Sequence, residues 1–139
     1  MTLNRSEFSL VLKQDLVWGD MDAFQHVNNT VYFRYFEDIR MAYFSEVGIN
    51  DFMERNKIGP ILARTECDFR LPLNYPDEIE IGTKCEVLSE KKFIMHYEVH
   101  SVRHKAIAAR GNGLIVFYDY VKNRSCAIPD QIVEKIKNG

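Results

Sequence analysis

The chain has 139 residues, 46% of them apolar and 27% charged, with a formal net charge of -2 and a pI near 6.1. That length suits one domain able to bury a core without metal or disulfide staples. The charge balance argues against the broad basic surface that nucleic acid requires. No apolar run is long enough for a membrane span and no export signal opens the chain. Cys67, Cys85 and Cys126 are scattered, without a C-x-x-C pair, which fits a reducing compartment; the expectation is a cytoplasmic protein.

Residues 8–18, F-S-L-V-L-K-Q-D-L-V-W, alternate with a mostly two-residue period and predict a strand. D-M-D-A-F-Q-H-V-N-N at 20–29 breaks that pattern and predicts a loop. In the next segment Tyr32, Phe36, Ile39, Tyr43 and Val47 recur at three- and four-residue intervals, with Phe33, Met41 and Phe44 widening the stripe. This predicts a heavily buried helix, capped by Asn28, Asn29 or Thr30 and ended by Gly48. A short helix over 51–58 with Asp51 as its cap follows.

The second half reads as strands. One opens with I-L-A-R-T-E-C-D-F-R-L-P-L, and Pro72, Asn74 and Pro76 mark a turn after it. I-E-I-G-T-K-C-E-V-L predicts a strand with a bulge at Gly82, and E-K-K at 90–92 a charged hairpin turn. Residues 92–102 and about 105–118 predict two more strands, the last interrupted by Gly111 and Gly113. The tail, I-P-D-Q-I-V-E-K-I, predicts a short helix with Pro129 near its start. One apolar helix against antiparallel strands is an α+β arrangement. Glycine-rich nucleotide-binding motifs are absent.

The loop at 20–29 holds most of the chemistry. Asp20, Asp22 and His26 offer metal-ligand atoms, but thiolate or histidine pairs and H-E-x-x-H are missing. His96 and His100 share a strand face without a third ligand, so neither a metal nor a cofactor is expected. Asp22 stands beside Trp18, Met21, Ala23 and Phe24, just before a helix. A carboxylate there can attack a carbonyl or activate water, and the helix entry offers backbone N–H groups to a developing oxyanion. The simpler reading makes Asp20 a brace and Asn28 and Asn29 caps or turn formers. His26 fits either a loop-locking hydrogen bond or a direct role. Arg103, His104, Lys105 and Arg110 form a local cationic patch able to meet a small anion.

Residues 18–40, W-G-D-M-D-A-F-Q-H-V-N-N-T-V-Y-F-R-Y-F-E-D-I-R, carry the pattern D-x-D-x-x-x-H-V-N-N. The segment resembles the hotdog-fold acyl-CoA thioesterases of the 4-hydroxybenzoyl-CoA thioesterase type. The resemblance implies an antiparallel sheet wrapped around the long helix, working as a homodimer or homotetramer. It implies an acyl thioester substrate on coenzyme A or acyl carrier protein, met at the subunit interface. It makes Asp22 the general base or nucleophile and puts His26 and Asn28 in the loop that shapes the site. Glu37 would hold the loop or line the site. Phe24, Val31, Tyr32 and Phe36 would meet the acyl group, and Arg103 and Lys105 the carrier phosphates. N–H groups around Val31 and Tyr32 would polarise the carbonyl. Many members have Gly where this chain has Gln25; the Q-H-V-N-N variant resembles plant acyl-carrier-protein thioesterases, which place an Asn where Phe24 stands. The same fold also hosts thioester hydratases or dehydratases, and a non-catalytic acyl-thioester-binding dimer is the remaining alternative.

Overall fold

The computed structural model describes residues 3–139. Strand β1 (Leu10–Asp15) leads through a single 3-10 turn at Trp18–Asp20 to the long helix α1 (Asn29–Glu46) and the short helix α2 (Ile49–Asn56). Four long strands follow: β2 (Ile58–Phe69), β3 (Glu78–Val87), β4 (Lys92–Ser101) and β5 (Ala106–Asp119). The chain closes with the two-residue β6 (Arg124–Ser125) and helix α3 (Asp130–Asn138). The sheet runs β1-β3-β4-β5-β2 with antiparallel neighbours, and β6 pairs with the end of β5. The sheet curls around the central helix in the expected α+β hotdog arrangement.

Burial along α1 explains the wrap. Val31 and Tyr32, Tyr35 and Phe36, Ile39 and Arg40, Tyr43 and Phe44 are the buried positions. Adjacent pairs repeated every four residues make one broad face. Phe36 stacks on Tyr97 of β4 at 4.5 Å between ring centroids, and Phe44 meets Phe93 edge-on. Phe33 and Met41, expected in the buried stripe, lie on the other side and are 36% and 47% exposed. The sheet covers only one side of the helix, so apolar character alone did not bury them.

Three further expectations change. Gly82 is no bulge: it pairs in register with Val11 and Glu98. Its missing side chain leaves room for Phe8 and Leu3, which an added Cβ would meet at 2.7 and 2.9 Å. The register shifts instead fall between Leu62 and Arg64 and between Val99 and His100. Gly111 and Gly113 do not interrupt β5, which is continuous. A Cβ on Gly111 would meet the Phe36 ring at 2.5 Å, so this glycine lets helix and strand close together. Gly48, at φ 82°, caps α2, and Asp51 lies in that helix's first turn, where a carboxylate suits the helix dipole.

Candidate active site

The loop before α1 is a tight hairpin built by its own backbone. Met21 and Val27 form an antiparallel bridge. Between them the Asp22 N–H donates to the His26 carbonyl and the Gln25 N–H to the Asp22 carbonyl, both at 2.9 Å. This three-residue loop needs a left-handed residue at its last position, and Gln25 supplies it at φ 64°. A glycine adopts that backbone without the steric cost of a Cβ, which accounts for Gly at the matching position of the resembled family. The hairpin is anchored on both flanks. The Val27 N–H donates to the Leu73 carbonyl at 2.8 Å and the Asn28 N–H to the Asp20 carbonyl at 3.1 Å. Asp20 also pairs with Arg34 of α1 at 3.5 Å, which makes it the brace of the loop.

Asp22 stands half-buried at the hinge of this arrangement. Its Oδ1 accepts the Phe24 N–H at 2.9 Å, an Asx-turn bond. Its Oδ2 receives the Asn28 side-chain amide at 3.5 Å. Asn28 is the N-cap of α1: its Oδ1 accepts the Thr30 N–H at 2.9 Å and the Thr30 hydroxyl at 2.6 Å. One side chain thus joins the helix start to the carboxylate. The first-turn donors are only partly free. The Val31 N–H donates to the Asn28 carbonyl at 2.9 Å, so it is not open to a ligand. The Asn29 N–H makes no hydrogen bond among the described residues.

Two clefts meet at Asp22. One, of about 490 Å³, is lined by Asp22, Phe24, His26, Val27, Asn28, Asn29 and Tyr32 on one side and by Phe69, Arg70, Leu71 and Pro72 on the other. The other, of about 580 Å³, runs past Trp18, Gly19, Met21, Gln25, Asn74 and Tyr75. Tyr32 and Phe69 meet edge-on at 5.0 Å. Burial pushes the Tyr32 phenol up to about 12, so it stays protonated at neutral pH. Trp18 and Phe24 remain 74% and 82% exposed around the carboxylate.

The structure brings Asp22, Phe24, His26, Asn28 and Tyr32 of the expected set into one cleft. His26 serves the loop through its backbone carbonyl, and its imidazole is exposed. Val31 is buried at the helix start and Phe36 is fully buried against Tyr97, so neither lines the two clefts. Glu37 lies in a separate groove with Arg40 and Leu62. Arg103 sits in the β4–β5 turn, where its N–H donates to Asp77 Oδ1 at 3.0 Å and its guanidinium to the Pro76 carbonyl at 3.3 Å; Lys105 occupies that turn at φ 53°. Glu66 faces the far side of the sheet, where the Asn112 amide at 2.8 Å holds its carboxyl below the usual range. The wall from Phe69 to Pro72 and the Asn29 N–H were not anticipated: the first read only as a strand end, the second only as a cap.

The thiols are not poised for attack: burial pushes Cys67 and Cys85 up to about 11. Among the described residues no group of three or more His, Cys, Asp or Glu side chains is placed to hold a metal ion, and no helix is long and apolar enough to cross a membrane.

A carboxylate at a helix entry between apolar walls suits acyl chemistry, and comparison with known proteins gives the class. The model of the Thioesterase-like superfamily matches residues 16–136, and the chain belongs to that superfamily. Among solved structures, a thioesterase from Thermus thermophilus, complexed with coenzyme A and Zn, is 28% identical; the match covers 94% of this chain and 98% of that one at a TM-score of 0.81. The PA2801 protein of Pseudomonas aeruginosa is also 28% identical, over 91% of this chain and 96% of its own, at a TM-score of 0.80. An uncharacterized protein of Bacillus subtilis, YsmA, is 27% identical over 93 residues, which span 67% of this chain and 62% of that protein. Family and fold together support a thioesterase-type hydrolytic activity on acyl thioesters.

Proposed function

We propose that the chain hydrolyses acyl thioesters of coenzyme A or acyl carrier protein, in the manner of 4-hydroxybenzoyl-CoA thioesterase, with Asp22 as the reacting carboxylate. The observation that carries this reading is the meeting of two clefts at Asp22, whose Oδ2 lies toward the N-cap of α1. The thioester carbonyl would lie over the first turn of α1, with the Asn29 N–H as its open donor. Asp22 then takes a proton from a water as that water adds to the carbonyl; collapse of the adduct expels the thiolate, which is protonated to the free thiol. In the nucleophilic variant, Asp22 adds to the carbonyl and the thiolate leaves, giving a mixed anhydride that water cleaves to the acid and Asp22. His26 and Asn28 present the carboxylate, while Phe24, Tyr32 and Phe69 form an apolar wall for the acyl group.

The acting unit in this reading is a homodimer or a dimer of dimers in the cytoplasm. Among the described residues strand β2 is an open edge of twelve residues, and a long open edge calls for cover. The test is thiol release across short, medium, long and aromatic acyl-CoAs. Turnover of at least one class supports the reading; no release from any CoA or carrier-protein ester refutes it. Oxygen-18 appearing in Asp22 after a single turnover in labelled water selects the nucleophilic route.

A further inference from the structure

The cleft at Asp22 holds a cation that the chain itself leaves unengaged. Arg70 follows the last residue of β2 and belongs to the wall opposite Asp22. Among the described residues it is the only Lys or Arg that lines either of the two clefts. Its side chain is exposed and makes no ion pair or hydrogen bond among the described residues, with Asp22 or with any other carboxylate. Its base is fixed. The N–H groups of Arg70 and Leu71 both donate to the Ala108 carbonyl, at 2.8 and 3.1 Å, and Pro72 follows with its restricted backbone. The anchored backbone keeps the free guanidinium at this wall.

The lining of the two clefts decides which part of a thioester meets Arg70. With the carbonyl over the Asn29 N–H, a group crossing the first cleft runs along Tyr32, Phe69 and Leu71 toward Arg70. The carrier's phosphates stand a whole pantetheine arm from the thioester, and a cleft of about 490 Å³ does not hold that length. The second cleft suits the arm: Gln25 and Asn74 line it with amides that match the arm's own. The acyl group is left for the Arg70 side. A hydrocarbon end there takes water from the guanidinium and returns no hydrogen bond. A carboxylate end returns a bidentate, charge-assisted pair. In the same cleft as the Asp22 charge, such an end is repelled unless a cation balances it. We propose that Arg70 selects acyl thioesters whose acyl group ends in a carboxylate, the monothioesters of dicarboxylic acids, with the apolar wall holding the methylene spacer. This rests on the thioester reading above.

The test compares acyl-CoAs of equal carbon number and different ends: glutaryl against valeryl, and adipyl against hexanoyl. In the wild type, kcat/KM is expected to be at least about tenfold higher for the carboxylate member of a pair. In Arg70→Gln, with circular dichroism unchanged, that ratio falls at least about tenfold. Arg70→Lys keeps the charge and loses the planar fork, and its ratio falls in between. S-acyl pantetheine esters of the same acids carry no phosphate and are expected to show the same ratios. A wild type without preference for the carboxylate, or a ratio unmoved by R70Q, refutes the proposal. So does a loss in R70Q that is equal for both members of a pair and vanishes with the pantetheine esters, because Arg70 is then a phosphate contact. Calorimetric binding of the non-hydrolysable thioether analogues of glutaryl-CoA and valeryl-CoA separates this site from the chemistry. Absence of thiol release from every ester refutes the hydrolytic reading, yet tighter binding of the glutaryl analogue that R70Q abolishes still supports the site. Equal binding of the two analogues refutes it.

Discussion

Replacing Asn28 separates two roles held by one side chain. Its Oδ1 caps α1 through the Thr30 N–H at 2.9 Å, and its amide reaches Asp22 Oδ2 at 3.5 Å. Asn28→Ala removes both. Loss of an N-cap costs about 1 kcal/mol, which lowers the melting temperature of a chain this size by about 4 °C. The amide contact is long, so its loss falls at the low end for a hydrogen bond to a charge, about 1.4 kcal/mol, or tenfold in kcat. Asn28→Ser keeps an oxygen able to cap and still loses the amide. The expected pattern is therefore a split: both variants fall about tenfold in kcat, and Asn28→Ala loses about 1 kcal/mol more stability than Asn28→Ser. Thermal denaturation followed by circular dichroism, beside thiol release from a turned-over thioester, reads both quantities. Equal destabilisation by Ala and Ser, or full turnover by both, would refute this account of the helix entry.

Other consequences follow from the same packing. Gln25→Gly relieves a left-handed backbone at φ 64° and is expected to raise stability by about 1 kcal/mol in urea denaturation, net of the added freedom of the unfolded chain. Gly111→Ala drives a methyl group into the Glu66 carbonyl and the Phe36 ring; a loss of about 1–3 kcal/mol is expected in the same assay. Stability should also fall at alkaline pH. Cys85 is raised from 9.0 to about 11 in the folded chain, so between those values the unfolded chain releases a proton that the folded chain retains. The urea midpoint should hold below pH 9 and drop toward pH 11, and Cys85→Ala should make that drop shallower.

The elements of the fold were legible where the pattern is local. Apolar spacing from Tyr32 to Val47 predicts α1, and alternation in the second half predicts the strands; the cap narrows to Asn28, Asn29 or Thr30, of which the structure uses Asn28. Features set by distant chain were not legible. Gly82 resembles a bulge until Leu3 and Phe8 are seen lying over it. Phe33 and Met41 carry the apolar character of core residues, but their position relative to a one-sided sheet leaves them exposed. Arg40 reads as a surface charge, and only Tyr97, 57 residues away, reveals that it is buried. At the candidate site the motif located Asp22, His26 and Asn28 together. It gave no sign that Val31 spends its N–H on the Asn28 carbonyl, nor that Phe69 to Pro72 supply the opposite wall.

The central claim is that Asp22 acts on the thioester. Its most direct test is kcat of the folded Asp22→Asn variant on the acyl-CoA that the wild type turns over fastest. Asparagine keeps an oxygen to accept the Phe24 N–H bond and removes the charge that activates water or attacks the carbonyl. The account predicts a fall of at least about 10²-fold, the range for losing a positioned general base, with circular dichroism unchanged. Full turnover by the folded variant would contradict it.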